Sequence, residues 1–151
     1  MSAALLRLQA LVGCELGVSR WHVVSQDMID RFADVTSDHQ FIHVDPVRAA
    51  ETPFGGTVAH GFLTLSLLSR LGQEAIPPIE GRAIGINYGF DKVRFPSPVR
   101  AGARVRDRFA LGGITPRAAG ELLLQYQATI EIEGGAKPAV SAEWLTLAVM
   151  R

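Results

Sequence analysis

The stretch Val58-Ala59-His60-Gly61-Phe62-Leu63-Thr64-Leu65-Ser66-Leu67-Leu68-Ser69-Arg70-Leu71 is apolar almost all the way round. A helix without a polar face must be enclosed by other structure. At about fourteen residues it is too short to cross a bilayer. Pro53-Phe54-Gly55-Gly56-Thr57 forms a turn cluster ahead of it, and Pro77-Pro78 marks the end of the region. The segment therefore reads as an interior helix, and the question is what covers it.

The cover is legible downstream, where the hydrophobic period changes to two. Ile84 to Phe95 reads as a strand, and Pro96-Ser97-Pro98 as a break. From Ala103 to Leu111, Val105, Phe109 and Leu111 face one way while Arg104, Arg106 and Arg108 face the other. Leu122, Leu124, Tyr126, Ala128, Ile130 and Ile132 alternate with Gln125, Gln127, Thr129, Glu131 and Glu133. Val140 to Met150 is a last strand anchored by Trp144. Helices first, then a run of antiparallel-type strands, is an α+β pattern. A curved sheet wrapped round the apolar helix would hide its surface.

Upstream, Leu5, Leu8, Leu11 and Val12 sit at helical spacing, and Leu16 to Val24 reads as a first strand. Ser25 is a suitable N-cap for a helix carrying Met28, Ile29, Phe32 and Val35 on one face, with Asp27 in its first turn. Ser37 to Phe41 breaks that period and reads as a loop, and Pro46 opens another short helix through Ala49 and Ala50. No repeat or linker divides residues 1–151, so one domain is expected.

Fifteen basic and fifteen acidic residues cancel, so no global field recruits nucleic acid or an anionic membrane. Cys14 is the one cysteine, which excludes an intramolecular disulfide and points to a reducing, cytoplasmic setting. The apolar start is interrupted by Arg7, which no basic residue precedes, and so does not read as a signal peptide.

Chemistry concentrates in Asp38-His39-Gln40-Phe41-Ile42-His43-Val44-Asp45-Pro46. A carboxylate and an imidazole five residues apart, in a loop between helices, can converge on one water molecule. Adding water to an enoyl thioester needs a base for the water and an acid for the α-carbon, and these groups suit both tasks. On spacing alone, Asp38 capping a turn and His43 packing as a core histidine is the simpler reading of the pair. A second element is Ala59-His60-Gly61-Phe62 at the start of the apolar helix. Free N–H groups there could stabilise an enolate, and Gly61 has no side chain to hold an acyl group away. For Gly61 taken alone, close packing of the helix on the sheet is the simpler reading, as a structural role is for His60.

Together these elements resemble the MaoC-like dehydratases, the (R)-specific enoyl-CoA hydratases of hot-dog fold. Asp38, His43, Asp45-Pro46, Ala49-Ala50 and His60-Gly61 stand in the family's order. Gln40-Phe41 replaces the family's Asn-Pro, as in the branch resembling nodulation protein N and mycobacterial R-hydratases, and Ile86 to Pro96 fits that branch too. The resemblance implies a hot-dog fold, a homodimer, and a coenzyme A or acyl-carrier-protein thioester as substrate, without a cofactor. It also implies that Asp38 and His43 activate water, that the Gly61 amide receives the thioester oxygen, and that a (3R)-hydroxyacyl product forms. Ser69 and Gln40 join Gly61 as substrate-binding candidates.

Arg94, Arg100 and Arg104 could meet the phosphates of coenzyme A or of a carrier-protein arm, or could simply form a solvated face. His39, His43 and His60 match no common zinc spacing, so no metal is expected. A hot-dog thioesterase remains an alternative, although such enzymes place an acidic catalyst on the buried helix and Val58 to Leu71 has none. A non-catalytic acyl-binding protein is the third reading.

Overall fold

The computed structural model describes residues 3–151. Its elements are α1 (Ala3–Gln9), β1 (Glu15–Val18), β2 (His22–Val23), α2 (Gln26–Thr36), α3 (Phe41–Val44) and α4 (Pro46–Ala50). These are followed by α5 (Gly61–Ser66), α6 (Leu68–Ala75), β3 (Arg82–Arg94), β4 (Arg104–Pro116), β5 (Glu121–Ile132) and β6 (Val140–Met150). One antiparallel sheet runs in the order β1-β4-β5-β6-β3, with β2 also paired to β4. The sheet closes over α5 and α6, which is the α+β, hot-dog arrangement expected.

Alternation explains the cover. Along β5, residues from Leu122 to Ile130 are buried at every second position, and β4 buries Val105, Phe109 and Leu111 on the same side. These meet Leu63, Leu68 and Leu71 of the helices, with Trp144 filling the space between. Asp107 shares that inward side and is fully buried. Its Oδ1 accepts the Thr129 N–H at 2.9 Å, while Oδ2 has no partner among the described residues. Burial, only partly opposed by the Thr129 and Arg108 N–H groups, pushes its carboxyl up to about 8. Outward, the arginines of β4 form ion pairs, Arg104 with Glu133, and Arg106 and Arg108 with Glu131.

Four expectations need correction. The helix starts at Gly61, not Val58, because Val58 bridges Arg100 in extended conformation and His60 is the N-cap. Nor is the helix enclosed on all sides: Phe62 is 71% exposed, and Ser66 and Ser69 are also exposed. The sheet covers only one face. Leu16 to Val24 is two strands interrupted at residues 19–21, where the Ser19 hydroxyl accepts the Asp107 N–H. On α2, Ile29 and Ala33 form the buried face and Val35 is exposed, since the last turn runs out beyond the core.

The termini of the helices follow local rules. Ser25 Oγ accepts the Met28 N–H, and Asp45 Oδ1 accepts the Arg48 N–H beside Pro46. α1 ends before Leu11, so only Leu5 and Leu8 of the four spaced residues reach the core. Among the described residues, no helix is long and apolar enough to cross a membrane.

Candidate active site

Ser37 ends α2 in the left-handed region, φ 59°, and turns the chain so that Asp38 lies beside the following helix. His43 sits on the single turn of α3 rather than in a loop, and is buried. His60, the N-cap of α5, stacks on it with ring centroids 3.8 Å apart. Asp38, His43 and His60 bring donor atoms within 4.8 Å of one another. Asp38 is the solvent-facing member, with its side chain 52% exposed.

Hydrogen bonds to backbone carbonyls define both imidazoles. His43 Nδ1 is 2.6 Å from the Val58 carbonyl oxygen, which can only accept. Nδ1 therefore carries the hydrogen, and Nε2 of the neutral ring keeps a lone pair. His60 Nε2 likewise donates to the Asp38 carbonyl at 2.9 Å, leaving a buried Nδ1 with no partner among the described residues. A metal would have to use the other nitrogen of each ring or break one of these bonds. A water molecule between the Asp38 carboxylate and His43 Nε2 would leave both of these bonds intact.

A second layer holds α3 in place. Thr57 Oγ1 donates to Gln26 Oε1 at 2.5 Å, and Gln26 Nε2 donates to the His43 carbonyl at 2.8 Å. Gln26, Thr57 and the Val58 carbonyl were not evident as site residues, since contacts across 15 to 31 positions leave no local pattern. His60 did carry a signal, its place at the helix start, but its stacking partner lies in a different segment.

Gly61 follows His60 directly, so its N–H opens the helix next to the cluster. A Cβ at Gly61 would lie 3.2 Å from the Phe95 ring, which gives close packing a share in the choice of glycine. Gln40 is exposed as the N-cap of α3, and its N–H faces Asp38 Oδ1 at 3.4 Å. Ser69 is not brought to the cluster. It lies two helical turns beyond Gly61, about 12 Å away, in the wall of a groove between the helices and β3. Arg94 is exposed beside Phe95 and donates to the Val93 carbonyl. Arg100 donates to the Gly55 carbonyl, and Arg104 is committed to Glu133. His39 is exposed and pairs with Asp34, and His22 meets Glu74 of α6 at 2.8 Å.

A sheet wrapped round a central helix, with a carboxylate and two histidines at the helix mouth, defines a hot-dog protein of the dehydratase and hydratase type. Residues 7–129 match the family model described as MaoC like domain, and the chain belongs to that family. It is 54% identical to nodulation protein N of Rhizobium meliloti over 93% of this chain and 88% of that one. It is 48% identical to 3-hydroxyacyl-thioester dehydratase Z of Mycobacterium tuberculosis over 90% and 89% of the two chains. Among solved structures, the (R)-hydratase from A. caviae involved in PHA biosynthesis superposes with a TM-score of 0.67 at 27% identity, covering 87% of this chain and 95% of that one. The chain is accordingly an enzyme of the dehydratase and hydratase class.

Proposed function

We propose that the enzyme interconverts trans-2-enoyl and (3R)-hydroxyacyl thioesters of coenzyme A or acyl carrier protein. The observation that carries this reading is the convergence of Asp38 and His43 beside the helix start, with the His43 tautomer set by the Val58 carbonyl. In the hydration direction, Asp38 and His43 Nε2 hold one water. As a water proton passes to this pair, the oxygen bonds to the β-carbon and the C=C electron pair moves toward the thioester. The Gly61 N–H meets the resulting enolate oxygen. The proton is then returned to the α-carbon, so water is added overall and no cofactor is needed. Gln40, exposed beside Asp38, and Arg94, exposed beside Phe95, would touch the thioester and its carrier.

The thioesterase alternative loses support at Glu74, the first acid on the central helices. His22, the Arg20 backbone N–H and the Arg20 side chain bond this carboxylate and hold it down to about 2 despite burial. It is spent in a structural cluster. A non-catalytic acyl-binding role would leave the Asp38–His43 convergence without purpose.

The assembly we propose is a homodimer joined along β3, with residues 1–151 as one domain in each copy. Among the described residues β3 pairs only with β6, and along its length Ile84, Ile86, Tyr88 and Phe90 are all exposed. A strand edge left unpaired in this way is a liability that a second copy would remove. The exposed free thiol of Cys14 suits a cytoplasmic setting.

Incubation with crotonyl-CoA tests the reaction. Loss of the ultraviolet absorbance of the conjugated thioester, without free thiol, is the expected result. Thiol release would instead support hydrolysis.

A further inference from the structure

Two adjoining cavities, of about 440 and 170 Å³, form one groove in the single chain, between α5 and α6 on one side and β3, the strand proposed to meet a second copy, on the other. They share Ser69, Asn87 and Trp144. The smaller one begins at Phe62, one residue past Gly61, and the larger one ends at Gln73, Ile76 and Arg82. From Gly61 to Gln73 the helical rise amounts to about 18 Å. An acyl chain whose carbonyl sits at the Gly61 amide can therefore enter the near end and run toward the far one.

The far end is not built for a methyl group. Trp144 Nε1 donates to Asn87 Oδ1 at 2.6 Å, which turns the Asn87 amide N–H groups to other partners. Tyr126 and Thr146 lie together in the wall. Among the described residues Arg82 is the one charged residue lining either cavity, and no carboxylate pairs with it. Its guanidinium lies across Gly85, where an added Cβ would come within 3.7 Å of Nη1, and its charge reaches the Tyr126 hydroxyl. A groove that is mostly apolar at its near end and mixed in polarity at its far end, with uncommitted donors and one free cation there, is complementary to a chain with an anionic tip.

We propose that this groove selects acyl thioesters whose far end carries a carboxylate, bound by Arg82 with help from Asn87 and Gln73. The proposal rests on the hydratase reading above and specifies its substrate class. A chain of about a dozen carbons spans the groove.

The test compares three trans-2-enoyl-CoA substrates: the four-carbon crotonyl thioester, and a twelve-carbon pair ending in either methyl or carboxylate. The wild-type enzyme should favour the carboxylate over the methyl end by about 10- to 100-fold in kcat/KM, the range for a charged hydrogen bond. Arg82→Gln should bring that ratio close to one, and Arg82→Lys should retain part of it. Hydration of all three substrates without discrimination would overturn the groove assignment and leave the hydratase reading standing. An equal loss on all three in Arg82→Gln would also overturn it, assigning Arg82 to the coenzyme A phosphates common to the set. Failure to hydrate any of them would refute the hydratase reading and this proposal with it.

Discussion

The imidazoles of His43 and His60 lie face to face, 3.8 Å between centroids and 24° between planes, and each ring spends one nitrogen on a backbone carbonyl. Phe32 closes the far side of His60 at 4.9 Å. His60 thus fixes two neighbours at once, the His43 ring by stacking and the Asp38 backbone by its N–H.

His60 should accordingly act as a positioning residue. In His60→Ala the expected loss is about 10- to 100-fold in kcat, the scale of a small misplacement of reacting groups. The inflections of the pH–rate profile should stay where they are, because the groups that take up the proton are unchanged. A profile that loses one limb would make His60 an acid or base in its own right.

Asp107 makes stability depend on pH. Its carboxyl titrates at about 8 in the fold and near its ordinary value of 3.8 in the unfolded chain. Between those values the unfolded state holds fewer protons, so stability falls as pH rises. The contribution is intact below the unfolded value and is lost by the time pH passes the folded one. Urea midpoints should therefore drop from pH 5 to pH 8. Asp107→Asn, which can still accept the Thr129 N–H, should flatten that trend. An unchanged slope in the variant would place its origin in another group.

Gly17 marks a close approach of β1 to α6. An added Cβ would fall 2.2 Å from the Ala75 carbonyl oxygen, so one of the two elements must shift. Gly17→Ala should cost about 1–3 kcal/mol, the usual range for overpacking, measured by chemical denaturation. A neutral result would mean that the end of α6 yields freely.

The free edge of β3 gives the dimer its test. Ile84→Lys puts a charge on that strand where Ile84 is 56% exposed in the single chain, so the fold itself has little reason to object. Sedimentation at micromolar concentration should show a dimer for the wild type and a shift toward monomer for the variant. A monomeric wild type would remove the proposed assembly.

Most of the sheet was legible because period-two burial is written directly into β5 and β6, whose inward residues face a continuous core. The apolar helix was legible too, although its start was not. Val58 and Ala59 are as apolar as the helix proper, and what keeps them extended is backbone pairing with residues 99–101, distant in sequence. Asp38 and His43 stood out by type and spacing, whereas His60, Gln26 and Thr57 join them only through tertiary contacts. Asp107 is not legible in this way, because it occupies an inward position of β4 flanked by arginines, where a charged residue reads as outward.

The central claim is that Asp38 and His43 share one water, and Asp38→Asn tests it most directly. The change preserves volume and most hydrogen bonding while removing the negative charge, and a turn-capping role would tolerate it because Asn caps nearly as well as Asp. Rates of crotonyl-CoA hydration, measured with circular dichroism to establish the fold, should fall by about 10²–10⁴-fold in Asp38→Asn and likewise in His43→Ala. The double variant should lose far less than the product of the two. Hydration by a folded Asp38→Asn enzyme within a few-fold of wild type would contradict the account and move the chemistry away from this pair.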